Sequence, residues 1–353
     1  MAIDISKLLK TLVKKNASDL HITADSSPKI RIDEKLFEAD KTRLSAEDTR
    51  RIAYSLLNKE QIAIFEREKE LDFSFEIAHM SRFRVNVFMQ RGKVGVAIRS
   101  IPFDIMSFEK CGLPVEVVTS FCRKPKGLVL VTGATGTGKS TTLASMIDFI
   151  NERRDCHIVT VEDPIEFIHT NKKSIIDQRE VHQDTRSFAA ALKHVLRQDP
   201  DVILIGEMRD IETIESALII AETGHLVFAT LHTSDSAQTV NRVIDVFPAH
   251  QQQQIRTQLS FVLLGILSQQ LLPKKDFAGR VLATEVLVAN QAVKALIRES
   301  KAHQIYSIIQ TGRKEGMRTM NQALSELYEK GLVSREDILS RSSDPEELGK
   351  LIK

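Results

Sequence analysis

The stretch Leu128–Thr142, LVLVTGATGTGKSTT, constrains this chain more than any other. It reads as a short buried strand, a glycine-rich loop and the start of a helix. Gly133-Ala134-Thr135-Gly136-Thr137-Gly138-Lys139-Ser140 satisfies the spacing G-x-x-x-x-G-K-[ST] at every position. The glycines let backbone N–H groups turn inward and approach a polyphosphate closely, and the helix that follows adds the positive end of its dipole. Lys139 reaches the β- and γ-phosphates, the Ser140 hydroxyl suits Mg²⁺, and Thr141 continues the binding loop into the helix. A chance match would lack the flanking pattern. Here Leu128–Val131 supplies a strand, and Leu143, Met146, Ile147 and Ile150 an amphipathic run. The stretch implies nucleotide binding.

At 353 residues the chain is long enough for about two domains, each with its own core. Charge narrows the partners. A net charge of +2 and a pI near 8.3 are too mild for a nucleic-acid partner, and no Trp with three Tyr leaves few stacking platforms for single strands. Cys111, Cys122 and Cys156 are scattered without a C-x-x-C, which argues against a zinc ribbon or a disulfide framework and suits a reducing cytoplasm. Met1–Lys10 has no apolar core of the signal-peptide kind, and the longest apolar run is Phe261–Leu267. Any membrane association is therefore expected to run through a protein partner.

Along the chain, residues 4–16 carry a helical stripe, 20–23 and 30–32 alternate like half-buried strands, and Ser45–Glu66 reads as one or two helices. Asp72–Phe88 and Val94–Ile101 complete a small α/β unit over 1–100. In Arg82-Phe83-Arg84-Val85-Asn86-Val87, period two places Arg82, Arg84 and Asn86 on one face and the apolar residues on the other. From this segment alone the arginines read as a solvated sheet face. Residues 101–114, with two prolines and a glycine, read as the interdomain linker. From 115 to 290, Val/Ile/Leu strands at 128–132, 157–161, 202–205 and 226–231 alternate with helices starting near 140, 187 and 211. That pattern predicts an α/β fold with a parallel sheet covered on both faces. Residues 251–272 read as one long helix, Val281–Val288 as another strand, and 291–353 as a helical region.

Ligands of such sheets sit at the carboxyl ends of strands, and two strands end there in acids. Val161-Glu162-Asp163-Pro164-Ile165-Glu166 is one, and Val202-Ile203-Leu204-Ile205-Gly206-Glu207 the other. A usual Walker B strand ends in Asp-Glu with the Asp supporting Mg²⁺. Gly206 takes that place, so metal support falls to Glu162 or Asp163 through water, and Glu207 is the candidate to polarise the attacking water. An acid at a strand end is also a common helix cap or loop ion pair; two beside one phosphate loop favour chemistry. His225 and His232 bracket the strand Leu226–Leu231 and face opposite sides, which argues against a paired metal site. A strand-end histidine is ordinarily structural, but one beside a nucleotide can sense the γ-phosphate or a neighbouring subunit.

These residues together resemble the secretion-type ring ATPases of the RecA-like superfamily, and within them the retraction ATPases of type IV pili. The likeness runs almost end to end. It takes in ASDLH at 17–21, RFRVN at 82–86, the phosphate loop, VEDPIEF at 161–167, QREV at 178–181, DPDVILIGEMRD at 199–210 and ETGHLVFATLHT at 222–233. It implies a RecA-like phosphate-loop ATPase domain preceded by a small PAS-like α/β domain, assembled as a homohexamer that binds ATP and Mg²⁺ in the cleft between domains and subunits. Catalytic roles then fall to Glu207, Glu162 and Lys139. Arg82, Arg84 and Arg99 would reach the phosphates, and Asp163, Glu166, His225 and His232 would line the nucleotide. It also implies an inner-membrane pilus platform protein as partner and a cytoplasmic place at that membrane. Length and the absence of a four-cysteine zinc site set this chain apart from pilus extension and type II secretion ATPases. Retraction ATPases carry a late motif close to AIRNLIRE; Ala292–Glu299 here reads AVKALIRE, keeping Leu296, Ile297, Arg298 and Glu299. Asp33-Glu34 replaces a common Asp-Gly turn.

Overall fold

The computed structural model describes residues 4–15, 17–32, 35–77, 80–101, 105–276 and 279–352; the Asp33-Glu34 turn and residues 102–104 of the expected linker lie outside them. The chain divides into two compact units, Met1–Asp104 and Ile105–Lys353.

The first unit runs α1 (Ile5–Lys14), β1 (Asp19–Ile22), β2 (Lys29–Ile32), β3 (Lys35–Glu38), α2 (Ala46–Leu56), α3 (Lys59–Glu68), β4 (Glu70–Ile77), β5 (Ser81–Gln90) and β6 (Lys93–Ile101). Its six strands form one sheet in the order β3-β2-β1-β6-β5-β4. Phe83, Val85 and Val87 on β5 and Val96 and Ile98 on β6 are buried with Leu8, Leu9 and Leu12 of α1 and Ile52 and Ala53 of α2. The alternation expected of residues 82–87 is what places them there. Pairing stacks the polar residues into a row across the strands. Ser74 lies opposite Arg84, Arg84 opposite Arg99, Arg99 opposite Asp19, and Asp19 opposite Arg31. Two arginines directly opposite repel. Asp19 offsets this by taking the Arg99 Nε at 2.8 Å and lying 3.9 Å from Arg31.

The second unit runs α4 (Phe108–Cys111), α5 (Val115–Cys122), β7 (Gly127–Thr132), α6 (Lys139–Arg153), β8 (His157–Glu162), β9 (Ile175–Glu180), α7 (Phe188–Val195), β10 (Val202–Ile205), α8 (Ile211–Glu222), β11 (Leu226–Leu231), α9 (Ser236–Asp245), α10 (Ala249–Val262), β12 (Leu263–Pro273) and β13 (Arg280–Val288). It closes with α11 (Gln291–Arg298), α12 (Ile305–Thr311), α13 (Met320–Glu329), α14 (Arg335–Arg341) and α15 (Pro345–Leu351). Seven strands form one sheet, β13-β12-β7-β11-β10-β8-β9. Leu128 and Leu130 of β7 enter the core under α7 to α12, and Val129 and Val131 enter the one under α4 to α6. Each such side chain contributes about 1.5–3 kcal/mol by leaving water, which is why these strands read as continuous apolar runs.

The structure departs from the sequence expectations at several places. Residues 251–272 are not one helix: α10 ends at Val262 and β12 begins at Leu263. Nothing in LLGILSQQLL disfavours a helix except Gly265. The sheet wins because β12 fills the slot between β7 and β13, paired on both sides. The sheet is mixed, since β13 runs antiparallel to β12. Strand β9 was not expected: IIDQRE is an edge strand, half exposed, and too polar to show a strand pattern. Finally, Phe108 and Leu113, within the stretch read as linker, are buried in the core of the second unit.

Gly265 marks the helix-to-strand change. A Cβ there would lie 2.2 Å from Phe121 Cζ and 2.6 Å from the Leu287 carbonyl oxygen. Gly265→Ala is therefore expected to destabilise the second unit by about 1–3 kcal/mol through overpacking, read as a lowered denaturation midpoint; an unchanged midpoint would show that Phe121 moves aside freely.

Candidate active site

The phosphate loop leaves β7 at its carboxyl end. Gly133 has φ 140°, a conformation open to glycine, and a Cβ on it would lie 2.5 Å from the Gln269 carbonyl oxygen of β12. The loop is thus seated against the strand that sequence reading took for helix. Gln269 also donates from Nε2 to Thr142 Oγ1 at 2.6 Å, tying β12 to α6. Gly138 precedes α6 without a side-chain cap, whereas Ser187, Asp210 and Asp235 cap α7, α8 and α9. The first-turn N–H groups of α6 are left for an anion.

Lys139 is buried, and its Nζ donates to the carbonyls of Gly133 (2.8 Å) and Ala134 (3.0 Å). Burial lowers its pKa, and the charges of Glu166 and Glu207 oppose that. The ammonium is held at the loop by carbonyl dipoles and by acids on two other loops. Thr137 donates to Ala134 O at 2.9 Å; Ala134, Thr135 and Gly136 are exposed, and Ser140 and Thr141 are half-buried.

The acids arrive from neighbouring strands, with β8 paired to β10 and β10 to β11 in parallel register. Burial, aided by the charge of Glu166, pushes Glu162 up to about 7 against hydrogen bonds to its carboxylate. Those come from Thr160 Oγ1 at 2.6 Å and Gln178 Nε2 at 3.3 Å. Gln178, on β9, also donates to Phe167 O and accepts from His169 N, each at 2.8 Å. It thus holds the loop that carries Asp163 and Glu166, both exposed. Gly206 has a physical reason. A Cβ there would lie 3.2 Å from Glu162 Cα and 3.3 Å from Val161 O, so an acid at 206 would crowd the one at 162.

Glu207 lies just past β10, with its side chain only 13% exposed; Arg209 Nε lies 2.7 Å from one oxygen and His232 Nε2 3.4 Å from the other. His232 is therefore at the site. His225 is not: it sits at the amino end of β11, its Nδ1 3.0 Å from Ile220 O and 3.2 Å from Thr223 Oγ1. Strand direction decides this, because β11 runs parallel to β7 and the loop follows the carboxyl end. His225 finishes α8, and its expected nucleotide role is withdrawn for its own subunit. Thr160, Gln178 and Arg209 were not singled out from the sequence. Arg209 could have been, standing two residues past Glu207; the other two depend on strand pairing.

In the first unit, Arg82 Nη2 donates to Ser74 Oγ at 2.6 Å, Arg99 pairs with Asp19, and Arg84 is exposed.

Residues 1–340 match the family model described as Type II/IV secretion system protein. The chain belongs to this family. It is similar to the "Type IV pilus retractation ATPase PilT" of Pseudomonas aeruginosa, 47% identical over 98% of this chain and 99% of that one. It is 46% identical to the "Twitching motility protein" of Neisseria gonorrhoeae, over 99% of this chain and 93% of that one. Among solved structures it resembles one described as the pilus retraction motor PilT with bound ADP, with TM-score 0.93 and 50% identity over 99% of each chain.

Glu207→Gln keeps the shape of the side chain but weakens its capacity to accept a proton. ATP affinity is expected to stay within about threefold while turnover falls by about 10²-fold or more. Equilibrium binding and steady-state hydrolysis on one preparation check this. A parallel loss of binding would make Glu207 a supporting residue.

Proposed function

We propose that this chain is one subunit of a ring-shaped motor that hydrolyses ATP to retract type IV pili. The observation that carries the reading is the convergence of Lys139, Glu166, Glu207 and His232 at one phosphate loop. It occurs in a chain that aligns along its whole length with retraction ATPases. Lys139 and the uncapped start of α6 hold the nucleotide phosphates and stabilise charge as it develops on the γ-phosphoryl. Glu207 orients the attacking water and accepts its proton. Its ion pair to the mostly exposed Arg209 is weakly held and gives way at small cost.

The residues fit Mg²⁺. Ser140, Glu162 and Asp163 offer hard oxygen donors, and Glu162 is a half-buried acid whose charged form a cation would favour. Among the described residues no cluster of three or more His, Cys, Asp or Glu side chains could hold a metal by itself, so the ion is read as arriving with the nucleotide. When bound it would neutralise phosphate charge, with Ser140 as ligand and Glu162 and Asp163 acting through water.

The assembly is proposed to be a homohexamer in which Arg82, Arg84 and Arg99 supply cations to the phosphates. Glu166 and His232 would register the state of the nucleotide. The mechanical partner is proposed to be an inner-membrane platform protein reached from the cytoplasm, a reading supported by the similarity to pilus retraction ATPases; among the described residues no helix is long and apolar enough to cross a membrane.

Helix α11 separates motion from chemistry. Val293 and Ile297 are buried against the second unit, while Lys294 and Arg298 are half-buried, with Arg298 Nη1 3.4 Å from Ser260 Oγ of α10. Complementing a strain that lacks its own copy of this gene with Lys139→Ala and Arg298→Glu tests the reading, with purified ATPase activity measured in parallel. Lys139→Ala should lose both hydrolysis, by about 10²–10³-fold, and retraction. Arg298→Glu should keep hydrolysis within about threefold and still fail to retract, leaving cells piliated but without twitching, because motion needs a contact whose geometry differs between ring states. Substantial hydrolysis by Lys139→Ala would overturn the assignment of the loop; equal loss of both activities in Arg298→Glu would place α11 in the catalytic cycle.

A further inference from the structure

Glu285, on β13, is a buried carboxylate, 2% exposed, that the chemistry above does not use. No cation faces it. Its partners are the starts of two helices. Ser236, the first residue of α9, donates from both its backbone N and its Oγ to Glu285 Oε1, each at 2.8 Å. The backbone N–H of Met320, the first residue of α13, lies close enough to favour the charged carboxylate. Asp235 lies close enough for its charge to act on Glu285, and so does Glu285 on Tyr306 of α12. Burial holds the carboxyl above its usual range, and the N–H donors work against that shift.

A buried anion compensated by two helix amino ends is a strong geometric constraint. Each end supplies aligned N–H groups and the positive pole of its dipole, and no flexible cationic side chain intervenes. What Glu285 holds matters because of what precedes α9. Residues His232-Thr233-Ser234-Asp235 lead directly into Ser236, and His232 is the residue that meets Glu207 at 3.4 Å. The turn is anchored at one end by β11 and at the other by Glu285, with Thr233 Oγ1 2.7 Å from Thr239 Oγ1 between them.

We propose that Glu285 is a positioning residue for the nucleotide site. It fixes the turn that sets His232 against Glu207 by holding Ser236 at the start of α9. The proposal rests on the reading of His232 as a nucleotide-site residue.

The test is a double-mutant cycle on the full chain, with Glu285→Gln, His232→Ala and the pair compared in ATP turnover, KM and affinity for a fluorescent ATP analogue. The amide fills the same volume but carries no charge and cannot accept from both helices equally well. Glu285→Gln alone should lower kcat by about tenfold with KM and analogue affinity within about twofold. In the His232→Ala background the same change should cost less than about twofold, because its route is already cut. Ser236→Ala, which removes only one donor, should give a smaller loss of the same kind while keeping the parent's melting temperature. Multiplicative losses in the pair would overturn the proposal. So would a lowered melting temperature with kcat unchanged, which would make Glu285 a fold-stabilising residue only. If His232→Ala alone left turnover unaltered, the reading of His232 would fail first and the proposal with it, an outcome distinct from multiplicative loss.

Discussion

The contact between the phosphate loop and β12 is the constraint on which the catalytic unit depends. Gly133 can pass only because it lacks a side chain, and the Gln269 carbonyl fixes how far the loop can lean. Gln269 holds α6 through Thr142, and Thr132 holds β12 through Ser268 at 3.0 Å. Loop, helix and two central strands therefore behave as one rigid piece. A polyphosphate site needs this, since binding is concentrated in backbone N–H groups whose spacing must already be right.

Much of this was legible in the sequence, for identifiable reasons. The parallel strands announced themselves because both faces are buried, leaving no polar phase in β7, β10 or β11. Lys139 is marked by the spacing of the glycine-rich loop, and Glu162 and Glu207 by the rule that a parallel sheet collects ligands at its carboxyl ends. His225 was misplaced by adjacency to a strand; which end it occupied depended on chain direction. Strand β12 was hidden because LLGILSQQLLP carries the same apolar residues that a buried helix would, and only its two neighbours select the extended form. Strand β9 was hidden for the opposite reason, being polar enough to pass for a loop. Gln178 and Thr160 became visible only once the pairing of β8 with β9 set them opposite each other.

The two units answer different demands. In the second, a buried lysine is set among a few acids on neighbouring strands and loops. In the first, Arg84, Arg99, Asp19 and Arg31 are laid side by side over a sheet whose other face is apolar. Cross-strand pairing keeps them in line, and one carboxylate among them lowers the cost of the crowding without cancelling the positive charge.

The missing side chain at Gly206 has a mechanical consequence. Where one strand carries both acids of a site, their separation is a property of the backbone alone. Here Glu162 and Glu207 hang from adjacent strands, with the Gly206 amide donating to Val161 O at 2.8 Å between them. Their spacing is therefore set by a hydrogen-bonded seam, and a ruler made of two strands can be read from either one. The loop after β8 and the turn after β10 can each answer to a different neighbour while the distance between the carboxylates holds.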